Sequence, residues 1–283
     1  MLREFDGFLK PDSLFIPDFD EKINKTASGF FSPLFADLDS DGTSELICLL
    51  AWDENYPSIA VIKKIGPTWY LLYLEDFYMF YSSPELYVGN SSSKNKTFCV
   101  RKVYNRGSGV YEDGYSFYKL INNTVYPCLD IVNDAHIVGW GLNLNQTVSS
   151  KFSFRGGRND DIWVMYNYNF FAGPINNGDC GWCSNEEVSI VKGEKGVNYI
   201  WDNKLHKYKR EVSSYRTSLE DLSDQKIACF SDMGNDKLFV RAFRDEINET
   251  LKKGTREQRA ITRKYLSIVK REVRHNQKSK PNN

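Results

Sequence analysis

The chain has 283 residues and carries 37 Lys and Arg against 37 Asp and Glu, so its formal net charge is zero. Hydrophobic residues make up 41% of the chain and aromatic residues 14%, and this composition excludes an intrinsically disordered protein. No apolar run comes near the ~20 residues that a membrane-spanning helix needs, so no transmembrane segment is expected.

The sequence predicts three regions in chain order. They are an extended lead-in over 1–34, a β-repeat domain over 35–215 and a C-terminal helical segment over 216–283. The lead-in contains Pro11, Pro17 and Pro33, which disfavour a helix there.

Strand and hairpin patterns recur through the central region. The predicted strands are 45–52, 97–104 and 161–171, and each precedes a predicted hairpin, over 58–76, 114–132 and 187–204 respectively. The hairpin turns are expected at Gly66–Pro67, at Asn122–Asn123 and near Glu194–Lys195–Gly196. Each unit thus has a polar loop, an apolar strand and a hairpin.

Aromatic residues recur on the second arm of these hairpins, at Trp69, Tyr70, Tyr126, Tyr199 and Trp201. A repeat of this kind is typical of a β-propeller or a stacked β array. Any all-β chain also shows hairpins at comparable spacing. The predicted fold class is therefore mainly β, either a propeller-like or an irregular β-repeat domain, with a C-terminal α-helical hairpin.

The C-terminal region has helical periodicity. Residues 236–254 carry apolar side chains at helical spacing and end at Gly254. The segment 255–275 begins with Thr255 and has Gln258 three residues later, the pattern of a capping box.

The second of these helices is strongly basic. Residues 237–283 carry 14 Lys and Arg against 5 Asp and Glu. The basic residues of the second helix are Arg256, Arg259, Arg263, Lys264, Lys270, Arg271 and Arg274. We expect the apolar side of the helix to dock on the β domain and the charges to face solvent, although an acidic partner could also bind them. No nucleic-acid-binding signature accompanies them, so no nucleic acid is expected.

The segment FADLDSDGTSELICLLAW, residues 35–52, predicts a metal site. The predicted ligands are the side chains of Asp37, Asp39, Asp41 and Glu45 and the backbone carbonyl of Thr43. Alternate oxygen ligands around a glycine turn suit Ca²⁺, which takes ~6–8 oxygens in a flexible shell. An EF-hand is excluded, because its twelfth position would be Cys48 and a strand follows the loop. Without a cation the clustered carboxylates would repel one another, which favours a metal over a solvated turn.

This segment resembles the loop and strand of FG-GAP and VCBS-type repeats, which have the pattern DxDxDGxx[DE] before a short apolar strand. The residues that carry the resemblance are Phe35, Asp37, Asp39, Asp41, Gly42, Glu45, Leu46 and Ile47. The resemblance implies calcium in the loop, a propeller blade around it and a location outside the cytoplasm. Later segments of the chain lack the alternate carboxylates.

Two of the six cysteines, Cys180 and Cys183, form a CGWC motif. This spacing occurs in redox dithiols and in half of a zinc site, but no second CxxC supplies the remaining zinc ligands. A redox cysteine needs a helix N-terminus, whereas the residues after Cys183 have a strand pattern. A small structural disulfide, or a pair of free thiols, is therefore favoured.

These observations predict a calcium-binding, extracytoplasmic β-repeat protein that binds an unidentified protein or glycan ligand. It would be periplasmic or secreted, with its signal peptide already removed. No catalytic residue is predicted, because no GxSxG, HExxH, Walker or GxGxxG motif is present. The alternative is an enzyme that uses the Cys180/Cys183 dithiol as a thiol oxidoreductase or a carboxylate pair as a glycan-acting hydrolase.

Overall fold

The structure is a computed structural model. It describes residues 2–4, 30–51, 56–78, 85–89, 94–107, 109–138, 143–155, 161–173, 188–211 and 236–278. Thirteen β-strands and three α-helices lie within these residues.

The first sheet has five strands in the order β1-β5-β4-β3-β2. The strands are β1 (Leu2–Glu4), β2 (Phe30–Ala36), β3 (Glu45–Ala51), β4 (Ser58–Ile65) and β5 (Thr68–Asp76). β1 pairs parallel with β5, and the other neighbours are antiparallel. The predicted hairpin with its turn at Gly66–Pro67 is confirmed. β2 extends the β structure into the region predicted as a lead-in, of which 5–29 lie outside the described residues.

The second sheet has eight strands in the order β13-β12-β11-β10-β9-β8-β7-β6. The strands are β6 (Leu86–Val88), β7 (Thr97–Gly107), β8 (Val110–Ile121), β9 (Thr124–Ile137), β10 (Leu144–Arg155), β11 (Asp161–Ala172), β12 (Ser189–Asp202) and β13 (Lys207–Arg210). The predicted turn at Asn122 and Asn123 is confirmed. Their φ angles are 50° and 63°, and positive φ at both positions suits the right-handed twist of a tight hairpin.

The turn predicted near Glu194–Lys195–Gly196 is wrong. β12 runs through these residues without a break and pairs with β11, where Gly196 lies opposite Met165. A Cβ at Gly196 would come within 2.0 Å of the Trp163 ring, so the glycine makes room for the indole. Glycine in a strand can mark such a close approach instead of a turn.

The described strands form an irregular β domain. The first predicted unit lies in the first sheet, whereas the second and third units share the second sheet. Neither sheet is closed, and the fold is mainly β with a small C-terminal helical region, which confirms the predicted fold class in its irregular form.

One apolar core joins the two sheets. Its members from the first sheet and its loop include Leu38, Ile47, Leu49, Ile59, Val61 and Leu72, and those from the second sheet are Phe98, Val100, Tyr118, Leu120 and Val125. A larger core joins the second sheet to the C-terminal helical region, whose buried apolar residues in this core are Phe239, Phe243, Ile247, Tyr265 and Val269.

The described part of the C-terminal segment, 236–278, is helical as predicted and contains three helices; 216–235 and 279–283 lie outside the described residues. The helices are α1 (Asp236–Ala242), α2 (Arg244–Lys253) and α3 (Arg256–Lys278). The first predicted helix is interrupted at Phe243, whose fully buried ring packs on Phe170 of β11. The capping box is confirmed, because the Gln258 N–H donates to Thr255 Oγ1 (3.1 Å) and the Thr255 N–H donates to Gln258 Oε1 (2.8 Å).

The apolar side of α3 docks on the rest of the fold. Tyr265 and Val269 are buried in the larger core, and the Tyr265 hydroxyl donates to Asp236 Oδ1 at 2.7 Å. Among the residues of α3 up to 271, whose burial the structure describes, the exposed basic ones are Arg256, Arg263, Lys264, Lys270 and Arg271. No helix among the described residues is long and apolar enough to cross a membrane.

A polar cluster lies at the junction of the two sheets. Lys102 of β7 is almost fully buried, and its Nζ donates to Glu75 Oε1 of β5 at 2.5 Å. Glu75 Oε2 also accepts hydrogen bonds from Tyr118 (2.8 Å) and Tyr73 (2.6 Å). Burial alone would raise the pKa of Glu75. The charge of Lys102 and these hydrogen bonds outweigh burial, so the pKa lies below its ordinary value of 4.5.

Replacing Glu75 with Gln tests this junction. The pKa of Glu75 is lower in the folded protein than in the unfolded chain. Its contribution to the free energy of unfolding is therefore present above pH 4.5 and is lost as the pH falls below that value. We therefore expect Glu75→Gln to cost about 1–3 kcal/mol at pH 7, because charged hydrogen bonds are lost. The difference from wild type should shrink in urea unfolding below pH 4.5. Asp76→Asn, at the next and exposed position of β5, should cost less; equal losses in the two variants would contradict the assignment.

Candidate cation-binding loop

The predicted metal loop connects β2 to β3 and is curled by its own hydrogen bonds. The Asp37 carboxylate accepts the N–H groups of Asp41 and Gly42, both at 3.2 Å. Asp41 Oδ1 accepts the Thr43 N–H at 2.8 Å. The φ angles of Ser40 (58°) and Gly42 (85°) are positive, as a tight curl of the chain requires.

Glu45 closes the loop from the start of β3. Its side chain is fully buried, and Oε2 accepts the N–H of Leu38 at 2.7 Å. Leu38 lies in the core between the sheets, so this hydrogen bond ties the loop to that core. Burial raises the pKa of Glu45 in spite of this hydrogen bond.

The loop brings three of the five predicted ligands together. Asp37, Asp39 and Glu45 each offer a carboxylate oxygen, and these oxygens lie within 4.8 Å of one another. Oxygens that share one Ca²⁺ ion at about 2.3–2.6 Å are separated by similar distances, so the group fits this ion. Thr43 contributes its N–H to the loop, and the ligand roles of the Thr43 carbonyl and the Asp41 carboxylate stay predictions.

A buried lysine that sequence reasoning missed points into the loop. Lys63 of β4 has a side chain that is 5% exposed, and its Nζ lies 2.5 Å from Asp39 Oδ2. The same nitrogen lies 2.7 Å from Asp41 Oδ2 and 3.2 Å from Glu45 Oε1. A single ammonium therefore contacts three carboxylates.

These contacts keep Lys63 charged. Burial alone would lower the pKa of Lys63, but its hydrogen bonds to the carboxylates outweigh burial and raise the pKa above its ordinary value. The hydrogen bond from Lys63 also lowers the pKa of Asp41, with help from the Thr43 N–H. The sequence position of Lys63 could have indicated its burial, because Lys63 alternates with Ile59 and Val61 along β4 and so lies on the same buried side of the strand.

The side of the first sheet that carries Phe31 and Phe35 is mostly apolar and is exposed along β2; Cys48 and Ala60 on the same side are buried, and Ser58, Lys64 and Asp76 are its polar members. Phe31 and Phe35 of β2 are both 63% exposed. Residues directly opposite one another in a sheet share a face. Following the strand pairing from β2, the residues on the face of Phe31 and Phe35 include Leu46, Cys48, Leu50, Ala60, Ile62, Leu71 and Leu74. The acidic loop joins the two strands that begin this face.

The second sheet carries a polar groove of 360 Å³. Its lining includes the hydroxyl, amide and charged side chains of Asp134, Thr147, Ser149, Asn167, Asn169, Lys192 and Glu194. Burial raises the pKa of Asp134, and the charge of its cross-strand neighbour Asp113 adds to this effect. Asp113 is fully buried and accepts hydrogen bonds from Arg101 (Nε, 3.0 Å) and Tyr111 (2.8 Å). The carboxylate of Asp113 is therefore already bound by donors of the protein itself.

The cysteines divide into two groups. Cys180, Cys183 and Cys229 lie outside the described residues, so the dithiol alternative for Cys180 and Cys183 stays a prediction. Cys48, Cys99 and Cys128 are buried free thiols, and burial raises the pKa of each. Their thiolate forms are therefore disfavoured, as in structural cysteines.

Comparisons with models of known protein families, with curated protein sequences and with solved structures give no match.

Proposed function

We propose that the protein is a calcium-binding β protein that works outside the cytoplasm and acts by binding a partner rather than by catalysis. The observation that carries the proposal is the group of carboxylates of Asp37, Asp39 and Glu45, whose oxygens lie within 4.8 Å at the turn between two strands. These residues would hold the ion, and its charge would offset the repulsion between them.

The loop is placed to stabilise a hairpin. Asp37 follows the last residue of β2, and Glu45 is the first residue of β3. A cation held by both would fix the end of β2, an edge strand, against β3. Calcium would in this way stabilise the strands that display Phe31 and Phe35.

The affinity expected of the loop supports the proposed location. Calcium sites of extracellular modules bind at about 10⁻⁴–10⁻³ M, whereas cytosolic buffers bind far more tightly. The ammonium of Lys63 lies among the same carboxylates and would weaken calcium binding by repulsion. A weak site of this kind is useful where calcium is abundant, and the resemblance to FG-GAP and VCBS-type loops points the same way.

The partner surface in this proposal is the outer face of the first sheet, and the partner is a protein with an apolar contact surface. The exposed apolar residues of this face lie along β2, at Phe31, Pro33 and Phe35, and exposed apolar patches on proteins commonly mark protein contacts. Phe31 and Phe35 would provide the aromatic contacts, since aromatic residues are enriched at the centre of such interfaces.

Calcium titration tests the loop. Wild-type protein should gain about 2.7 kcal/mol of unfolding free energy when calcium reaches a hundred times its Kd, because only the folded loop binds. Differential scanning calorimetry with calcium and with EDTA would show this as a rise in Tm. Asp39→Asn should abolish the rise, while Glu249→Gln on the exposed side of α2 should retain it. Equal Tm values with calcium and with EDTA in wild type would remove the calcium function.

The double variant Phe31→Ser, Phe35→Ser tests the partner surface. Both side chains are largely exposed, so we expect a change in unfolding free energy of at most about 0.5 kcal/mol each. The fluorescence of the apolar dye bis-ANS should fall, because dye binds accessible apolar surface. Leu205→Ser removes an exposed apolar side chain outside the first sheet and should leave most of the signal. Undiminished dye binding by the double variant would show that this face is not the accessible one.

A further inference from the structure

We infer that Lys63 is a built-in cation of the acidic loop and competes with calcium for the same carboxylates. This inference rests on the proposed calcium function and adds its regulation.

The two cations would use two of the same carboxylate groups. Asp39 and Glu45 belong to the group that could hold a metal, and both also contact the Lys63 ammonium, at 2.5 and 3.2 Å. Like charges repel strongly at such separations when little water lies between them, and the Lys63 side chain is only 5% exposed. Calcium and the ammonium therefore exclude one another from the centre of the loop.

The ammonium leaves part of the loop unsatisfied. Asp39 Oδ1 is buried and accepts no hydrogen bond from the described residues, whereas Glu45 Oε1 lies 3.2 Å from Lys63 Nζ. A lysine ammonium has three donors, whereas a calcium ion coordinates ~6–8 oxygens at once. A metal could therefore also use Asp39 Oδ1, which Lys63 leaves without a donor.

The Lys63 ammonium can also move away from the centre of the loop. Its ammonium is carried on a flexible four-carbon stem, so the charge can move while β4 stays in place. Asp41, one of its three partners, is 44% exposed and lies towards solvent. The ammonium can keep its ion pair with Asp41 at the surface of the loop while Asp39 and Glu45 bind the calcium ion.

Competition of this kind gives the loop two states with different cations. At low calcium the single positive charge of Lys63 offsets part of the negative charge of the carboxylates, and the loop keeps its curled form. At high calcium the ion takes over, and the affinity is lower than in a loop without a lysine. Lys63 thus sets the calcium concentration at which the loop exchanges one cation for the other.

The experiment compares calcium binding by wild type, Lys63→Met and Lys64→Met, using isothermal titration calorimetry and Tm measurements. Met is an unbranched side chain one atom shorter than Lys and carries no charge, and Lys64 is the exposed neighbour on the same strand. We expect Lys63→Met to have a lower Tm in EDTA, a larger calcium-dependent rise in Tm and a calcium Kd at least tenfold lower than that of wild type. Lys64→Met should match wild type in all three.

The outcomes separate this inference from the calcium function. Equal affinities of wild type and Lys63→Met would overturn competition and leave the calcium function standing. Binding by Lys63→Met alone would support competition and withdraw calcium from the wild-type protein, where Lys63 would be the only cation. No binding by either would overturn both. Should Lys63→Met not fold in EDTA, Lys63→Gln purified in calcium and titrated by dialysis gives the same comparison, because it lacks the charge and keeps a hydrogen-bond donor.

Discussion

The pairing of buried lysines with carboxylates is the constraint on which the first sheet depends. Lys63 and Lys102 are 4% and 6% exposed, and a charge held so far from water is stable only beside an opposite charge. Lys63 fixes the acidic loop to β4, and Lys102 fixes β5 to the second sheet through Glu75. These two ion pairs thus fix the first sheet at two points, one to the acidic loop and one to the second sheet. The apolar core between the sheets supplies most of the stability, and the ion pairs determine which residues of the two partners come into contact.

The sequence was informative about the fold wherever the cause of a structure is local. The turns at Gly66–Pro67 and Asn122–Asn123 follow from the φ angles that these residues adopt readily, and the capping box at Thr255 spans one turn of helix. The turn predicted at Gly196 was wrong because this glycine lies in a strand and makes room for Trp163 of the neighbouring strand. A contact between strands decided this case, and no local pattern records it.

The candidate site shows the same division. Asp37, Asp39 and Glu45 are close in the chain, so their spacing predicted that they would meet, and the structure brings them together. Lys63 lies 24 residues from Asp39 and reaches it only because β3 pairs with β4. A pattern of carboxylates predicts a cation and does not say whether the cation is a metal or a side chain. That distinction depends on strand register, which fixes the residue that faces the loop.

The arrangement of the N-terminal strands also bears on how the first sheet ends. β1 pairs with β5 at one edge, and β2 forms the other edge with Pro33 at its centre. An open edge offers unpaired N–H and C=O groups to other chains, and proline removes one of the donors. Residues 2–4 therefore serve as a cover for β5, and Pro33 makes the opposite edge a poor template. The sheet is protected against edge-to-edge aggregation by different means on its two sides, and a truncation before β2 would remove one of them.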